Sequence, residues 1–251
     1  MALFAQDINS LREMATEFME ASRKAGLKIN TKKTLLLSKD IEIPKKRKIS
    51  LNGEIIETVE EATYLGQIIS FQDRLDKEIS ARIDKTWKSF WGMRRIYGAK
   101  IPLNLKAALL ESCTFPVLTY GSQTWATTIT QLNKINKTQL ALERKITGTK
   151  LKDKIRNTNI RKITGTKDLR YTIKKLKFKY AGHITRNNED RWERRAFEWT
   201  PREHKRKAGR PRTRWRDEIA HYIGVAWQRD ARERNRWVRV GEAYAQRWAE
   251  A

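Results

Sequence analysis

A lone cysteine, Cys113, excludes an intrachain disulfide framework and fits a reducing compartment. Histidine is nearly as scarce: His183, His204 and His221, with that one thiol, cannot assemble a Cys/His zinc knuckle. No apolar run approaches the roughly 18 residues a membrane span needs. No Lys-rich amphipathic helix suggests a membrane anchor, and the first residues show no charged-then-apolar leader. A Walker-type glycine loop is missing, and no Ser/His/Asp set has a supporting context. Acidic residues are heavily outnumbered: 29 Asp and Glu face 54 Lys and Arg, leaving +25 on 251 residues.

A surface that positive repels itself unless it meets a polyanion, and counterion release makes nucleic acid the favoured one. A merely soluble surface needs no such one-sided excess. The excess is also uneven. Residues 151–251 carry 29 basic against 13 acidic side chains, a net +16, whereas residues 1–150 carry 25 against 16, a net +9. Six of the nine tryptophans (Trp192, Trp199, Trp215, Trp227, Trp237, Trp248) fall in the last sixty residues. With 39% apolar residues the chain can bury a core, in one large domain or two small ones.

Residues 7–25 read as an amphipathic helix: Asp7 is the N-cap, Ile8, Leu11, Ala15 and Phe18 recur at helical spacing, and Gly26 follows the end. Leu27 and Ile29 are expected to fill a sheet face, with Asn30 taking the turn. Thr34 to Leu37 is a short strand. Ile49-Ser50-Leu51 and Ile55-Ile56 flank Asn52-Gly53, a hairpin signal because both turn residues tolerate positive φ. The basic loop 44–48 precedes it, and Thr63 to Ser70 reads as a further strand. From Asp76 the period becomes helical, with Ile79, Ile83, Trp87, Phe90, Trp91 and Ile96 on one apolar face. Pro102 opens a second helix, a break is expected over 114–126, and a third helix runs from about Ile129 to Ile146. Beyond Thr147 short helical pieces and polar turns are expected. The heptapeptide at 144–150 recurs at 161–167, too short a repeat for a solenoid.

The order Gly26-Leu27-Lys28-Ile29-Asn30, then Lys33-Thr34, a hydrophobic strand, a hairpin and Tyr64-Leu65-Gly66 resembles the back half of a reverse transcriptase palm, of the kind encoded by non-LTR retrotransposons. The resemblance implies a two-metal site on paired aspartates, with Mg2+, in a full-length member. That pair would lie just ahead of Met1, and Leu3-Phe4-Ala5 matches the tail of the catalytic strand. No catalytic residue and no cofactor are therefore expected in this chain; Asp7 alone cannot hold two metals. Lys33 matches the family's lysine near the leaving pyrophosphate, the alternative being a plain helix–turn–strand junction. Tyr64, Leu65 and Gly66 resemble the primer grip, where glycine lets backbone approach phosphate.

The helices from Asp76 to about Ile146, with Pro116-Val117-Leu118-Thr119-Tyr120-Gly121 and Trp125, resemble the thumb. This implies that Arg82, Lys85, Lys88, Arg94 and Arg95 contact a template–primer backbone, whereas Trp87 and Trp91 belong to the core. Ala181-Gly182-His183-Ile184-Thr185-Arg186 and the run from Trp199 to Asp217 resemble the tail of the same enzymes. Within that run, Lys205, Arg206, Lys207, Arg210, Arg212 and Arg214 are nucleic-acid candidates, and Gly209-Arg210-Pro211 resembles an AT-hook. A nuclear-import run or a solvated loop are the alternatives.

The expected architecture is mostly α with a small α+β N-terminal piece. It comprises a palm remnant over 1–70, a thumb-like domain over 71–150, and a basic Trp-rich tail over 151–251, helical in patches and partly disordered. The expected partners are RNA, DNA or an RNA–DNA duplex, with no membrane and no disulfide partner, in an intracellular setting, nuclear and cytoplasmic. The oligomeric state is left open. Binding without polymerisation is the expected activity; a non-enzymatic binding protein from the same element and a scaffold for acidic proteins are the other readings.

Overall fold

Helix α1 (Ile8–Lys24) starts at the Asp7 cap: Oδ1 accepts from the N–H groups of Asn9 and Ser10, both at 2.9 Å, and Oδ2 from Ser10 Oγ at 2.7 Å. Those bonds hold the Asp7 carboxyl below its ordinary pKa, the Ser10 N–H contributing most. The computed structural model describes residues 1–38, 49–51, 54–187, 190–199 and 214–250. They form two compact units, Met1–Arg74 and Leu75–Ala251. Residues on both sides of position 150 belong to the second. The chain is mostly helical, and among the described residues the strands are confined to the N-terminal unit.

In that unit, Asn30 Oδ1 caps a turn at Thr31–Lys33 by accepting from the Lys33 N–H at 3.1 Å. Strands β1 (Leu35–Leu37), β2 (Ile49–Leu51) and β3 (Glu54–Val59) follow in the sheet order β1-β3-β2, with β1 parallel and β2 antiparallel to β3. Leu51 stands opposite Glu54. The turn residues Asn52 and Gly53 and the basic loop 44–48 lie outside the described residues. Ile29 is half-buried, but Leu27, expected on the sheet face, is 67% exposed.

The segment from Thr63 to Ser70 is not one strand. It reverses at Leu65 (φ +49°) and Gly66 (φ +78°), between β4 (Glu61–Tyr64) and β5 (Gln67–Ser70), with Tyr64 opposite Gln67. A two-residue turn with both φ positive matches the right-handed twist of paired strands. Glycine adopts that geometry freely; Leu65 does so at a cost of roughly 1–2 kcal/mol.

The second unit holds all but the first residue of α2 (Arg74–Gly92), then α3 (Arg94–Gly98) and α4 (Leu103–Leu109). The break expected from residue 114 does not occur there. A wide π turn, Leu110–Thr114, bonds the Phe115 N–H to the Leu110 carbonyl and continues into α5 (Phe115–Thr119). Pro116 has no N–H to donate, and the looser turn accommodates its ring. The helix stops at Tyr120 instead.

Helix α6 (Ile129–Thr147) begins with a reciprocal cap: Gln131 N–H donates to Thr128 Oγ1 and the Thr128 N–H to Gln131 Oε1. Helix α7 (Asn157–Thr164) packs on it. The duplicated heptapeptide is a helix stop used twice. Gly148 (φ +73°) follows α6 and Gly165 (φ +66°) follows α7. In each copy the flanking threonine hydroxyls meet, Thr147 with Thr149 at 2.9 Å and Thr164 with Thr166 at 3.3 Å. The same local signal ends both helices; surroundings then separate the copies, since Ile146 is buried and Ile163 exposed.

The rest comprises α8 (Leu169–Arg186), α9 (Trp192–Glu198), α10 (Asp217–Ile223), α11 (Trp227–Arg232) and α12 (Arg234–Glu250). At 18 and 17 residues, α8 and α12 are not the short pieces expected beyond Thr147. Aromatic packing accounts for this. Leu169 and Ile173 of α8 enter a first core with Ile79, Phe90, Leu118 and Ile135. One turn on, Phe178 and Ala181 enter a second with Ile219, Trp227, Trp237 and Tyr244. Trp248 packs against both.

Phe178 stacks on Trp237 with centroids 5.2 Å apart, and Trp237 Nε1 donates to the Phe178 carbonyl at 2.6 Å. That approach depends on Gly182, where a Cβ would lie 2.4 Å from Trp237 Cδ1. Gly182→Ala is therefore expected to destabilise the second unit by about 1–3 kcal/mol; a melting temperature equal to that of the parent chain would contradict this packing.

Candidate nucleic-acid interface

Helix α2 has two faces of different chemistry. Ile79, Arg82, Thr86 and Phe90, at helical spacing, are buried. Lys85 and Lys88 lie on the exposed side. Helix α6 fixes the rotation: Gln131 Nε2 donates to Asp76 Oδ1 at 2.9 Å and Lys134 Nζ to Ser80 Oγ at 2.8 Å. The turn after Gly92 then presents Arg94 and Arg95 to solvent. None of these four cations forms an ion pair among the described residues.

Arg82 is corrected out of this set. It is 5% exposed, its Nε donates to Glu78 Oε1 at 2.7 Å, and its guanidinium lies 4.4 Å from the centre of the Tyr120 ring. Its position three residues after Ile79 and four before Thr86 places it on the buried stripe. Trp91 is corrected the other way. Expected in the core, it is 47% exposed, as is Ile96.

Trp91 instead lines an open depression with Asp84, Trp87, Lys88, Gly92 and Arg94. Its ring stacks on Trp87, 6.3 Å between centroids and 24° between planes. Lys145 Nζ, from the last turn of α6, sits 5.6 Å from the Trp91 ring centre. Sequence reasoning missed Lys145, because only the packing of α6 brings it here.

The other candidates are dispersed. Lys33 is exposed, and Tyr64 and Leu65 are 37% and 76% exposed at the β4–β5 turn with half-buried Gly66; all four belong to the N-terminal unit. Arg214 is half-buried, and its backbone N–H donates to Asp217 Oδ2 at 2.7 Å, starting α10. Lys205, Arg206, Lys207, Arg210 and Arg212, with the AT-hook-like Gly209-Arg210-Pro211, lie outside the described residues.

Several basic residues that count towards the charge excess are buried. Lys174 and Lys177 are each 1% exposed. Both ammonium groups reach Glu218: Lys174 Nζ meets Oε1, and Lys177 Nζ meets Oε2 at 2.6 Å. Tyr244 Oη also donates to Glu218. Indole rings flank the pair, Trp248 4.5 Å from Lys174 Nζ and Trp215 5.2 Å from Lys177 Nζ. Burial pushes both lysines below their ordinary pKa, with Glu218 opposing the shift. Burial alone would raise the Glu218 carboxyl, but Lys177 and Lys174 outweigh it and hold it low. The Tyr244 phenol is pushed up by burial and by Glu218.

The two C-terminal signatures are thus partly structural. Trp215 Nε1 donates to the Gln123 carbonyl at 2.8 Å, and Arg186 Nη1 donates to the Ala231 carbonyl at 2.6 Å. A second buried cluster joins α6, α7 and α8. Gln139 Nε2 and Thr166 Oγ1 donate to Glu143 Oε1 at 2.7 and 2.6 Å, and Asp168 pairs with Arg161 and Arg170. Burial raises the Glu143 carboxyl.

The Asp7 carboxylate is engaged locally. Leu3-Phe4-Ala5, expected as a strand tail, is not in a strand, and both oxygens of Asp7 beyond it accept bonds from its own helix. Among the described residues, no group of three or more His, Cys, Asp or Glu is arranged to hold a metal ion, and no helix is long and apolar enough to cross a membrane.

No family model matches the chain, and no solved structure matches it. It is 28% identical over 255 residues to an uncharacterized transposon-derived protein of Caenorhabditis elegans, the match covering 96% of this chain and 91% of the relative. That likeness supports a transposon origin.

Proposed function

We propose that this chain is the nucleic-acid-gripping part of a retrotransposon reverse transcriptase, holding RNA–DNA or DNA duplex by its phosphates without extending it. The observation that carries the reading is the exposed α2–α3 face, where Lys85, Lys88, Arg94 and Arg95 project without carboxylate partners among the described residues. Cations left unpaired on a chain of net +25 are suited to releasing the counterions condensed on a duplex. The likeness to a transposon-derived protein favours an element-encoded duplex over an acidic protein as the partner. In this reading Tyr64-Leu65-Gly66 and Lys33 add contacts from the N-terminal unit, and the chain works in the nucleus and cytoplasm, where element RNA and target DNA are found.

Polymerisation would require a carboxylate pair, and Asp7 is engaged as a cap. The test pairs two assays on the purified chain. Fluorescence anisotropy with a labelled RNA–DNA hybrid in dilute buffer should show binding that an acidic peptide does not compete away. Primer extension with Mg2+ and nucleotides should show no product. Template-dependent synthesis would overturn the second half of the reading, and indifference to the hybrid would overturn the first.

A further inference from the structure

A half-exposed tryptophan on a soluble surface needs no special account by itself. Trp91 is distinguished by its surroundings. Trp87, behind it, packs against the first core and stacks on the ring, so the indole is held rather than free to rotate. Phe90, fully buried, meets it edge-on at 5.3 Å. Cations stand around it: Lys88 one turn earlier, Arg94 just beyond the helix end, and Lys145 from α6. Asp84 is the one side-chain acceptor among the described residues that line the depression.

We propose that Trp91 is a stacking platform for an unpaired nucleotide base adjoining the duplex held by the α2–α3 face. The inference rests on the proposed duplex grip and adds to it. A rigid aromatic face among cations meets both parts of a single strand, the π-face of each base and the phosphate that follows it. Lys145, which lies over the Trp91 ring on a flexible stem, can leave that face for the phosphate and free it for a base, and the Asp84 carboxylate can accept from a base amino group. The depression has a volume of about 560 Å³, room for a nucleotide. It is open to solvent, so it would not enclose a free mononucleotide as small-molecule sites do, but it lets a continuous strand pass.

The experiment compares blunt RNA–DNA hybrid with the same hybrid bearing a short single-stranded overhang, 2-aminopurine marking the first unpaired position. The parent chain should bind the overhang form about fivefold or more tightly than the blunt one, and 2-aminopurine emission should fall on binding. Trp91→Ala and Trp91→Leu should lose both the preference and the quenching while still binding blunt hybrid. Trp91→Phe should keep most of each. The leucine variant preserves bulk at the helix end, so a loss shared by both variants at unchanged melting temperature reports the π-face. Equal binding of both substrates by the parent chain, or a preference that survives in Trp91→Leu, would overturn the platform and leave the duplex grip standing. Binding of neither substrate would overturn both.

Discussion

Glu218→Gln is expected to lower the melting temperature of the helical unit by roughly 10 °C. The substitution keeps the size and acceptor oxygen of the side chain but removes the charge. Lys174 and Lys177, each 1% exposed, are then left without the carboxylate that balances them. Breaking a buried ion pair by removing one partner costs about 3–5 kcal/mol, and in a domain of this size each kcal/mol moves the midpoint by about 2–4 °C. The sign of the pH dependence follows from the lysines. Burial lowers their folded pKa beneath the ordinary value of 10.5. Between those values the unfolded chain binds more protons, so raising the pH favours the fold. Without Glu218 the lysine values fall further, and the deficit should shrink as the pH rises from 7 towards 9. In the parent chain, Glu218 contributes fully above its ordinary value of 4.5, and its contribution is lost as pH falls through its lower folded value. At the alkaline end Tyr244 acts against the fold: its folded pKa is raised, so stability falls above its ordinary value of 10.0, where only the unfolded chain loses that proton. Thermal melts at pH 7 and 9 read the shrinking deficit of the variant, and melts of the parent below pH 4.5 and above pH 10.0 read Glu218 and Tyr244. A variant as stable as the parent at pH 7 would show that the charged cluster does not hold α8, α10 and α12 together.

Removing the four exposed cations together, as Lys85→Ala, Lys88→Ala, Arg94→Ala and Arg95→Ala, is expected to weaken binding of RNA–DNA hybrid on the order of 10³-fold at 0.1 M salt. Each phosphate contact on a duplex contributes a slope near −0.9 in log affinity against log salt, or about eightfold per contact at that salt. Melting temperature should hardly change, because all four side chains are exposed. Arg82→Ala should do the reverse. Its guanidinium is buried between Glu78 and Tyr120, so its loss removes a buried ion pair and a ring contact and costs stability without altering duplex affinity in the folded fraction. The contrast separates cations that face solvent from one that only counted as basic in the sequence.

Local signals are legible in the sequence itself. Asp7, Asn30 and Gly26 mark the ends and turns they are found at, and α6 is bounded where its period starts and stops. The small sheet followed by helices is likewise readable from the change of period. Hidden features depend on tertiary packing. Lys177 sits four residues from both Ile173 and Ala181, on the buried stripe of α8, yet a lysine reads as surface unless a carboxylate from another helix is known to meet it. Glu218 lies 41 residues further on. Trp91 follows Trp87 by four residues, a spacing that drifts round the helix away from the buried stripe of Ile79, Arg82, Thr86 and Phe90 and brings it to the side of Lys88. At Pro116 the usual breaker is absorbed by a π turn, which composition does not announce. The repeated heptapeptide shows its purpose only in the fold, where both copies end helices.

The most direct measurement of the phosphate grip is hybrid affinity from 50 to 200 mM salt, for the parent chain and the four-alanine variant side by side. The parent slope should be steeper than the variant's by about 3 to 4 in log affinity per log salt. Parallel lines for the two proteins would contradict the assignment of the α2–α3 face.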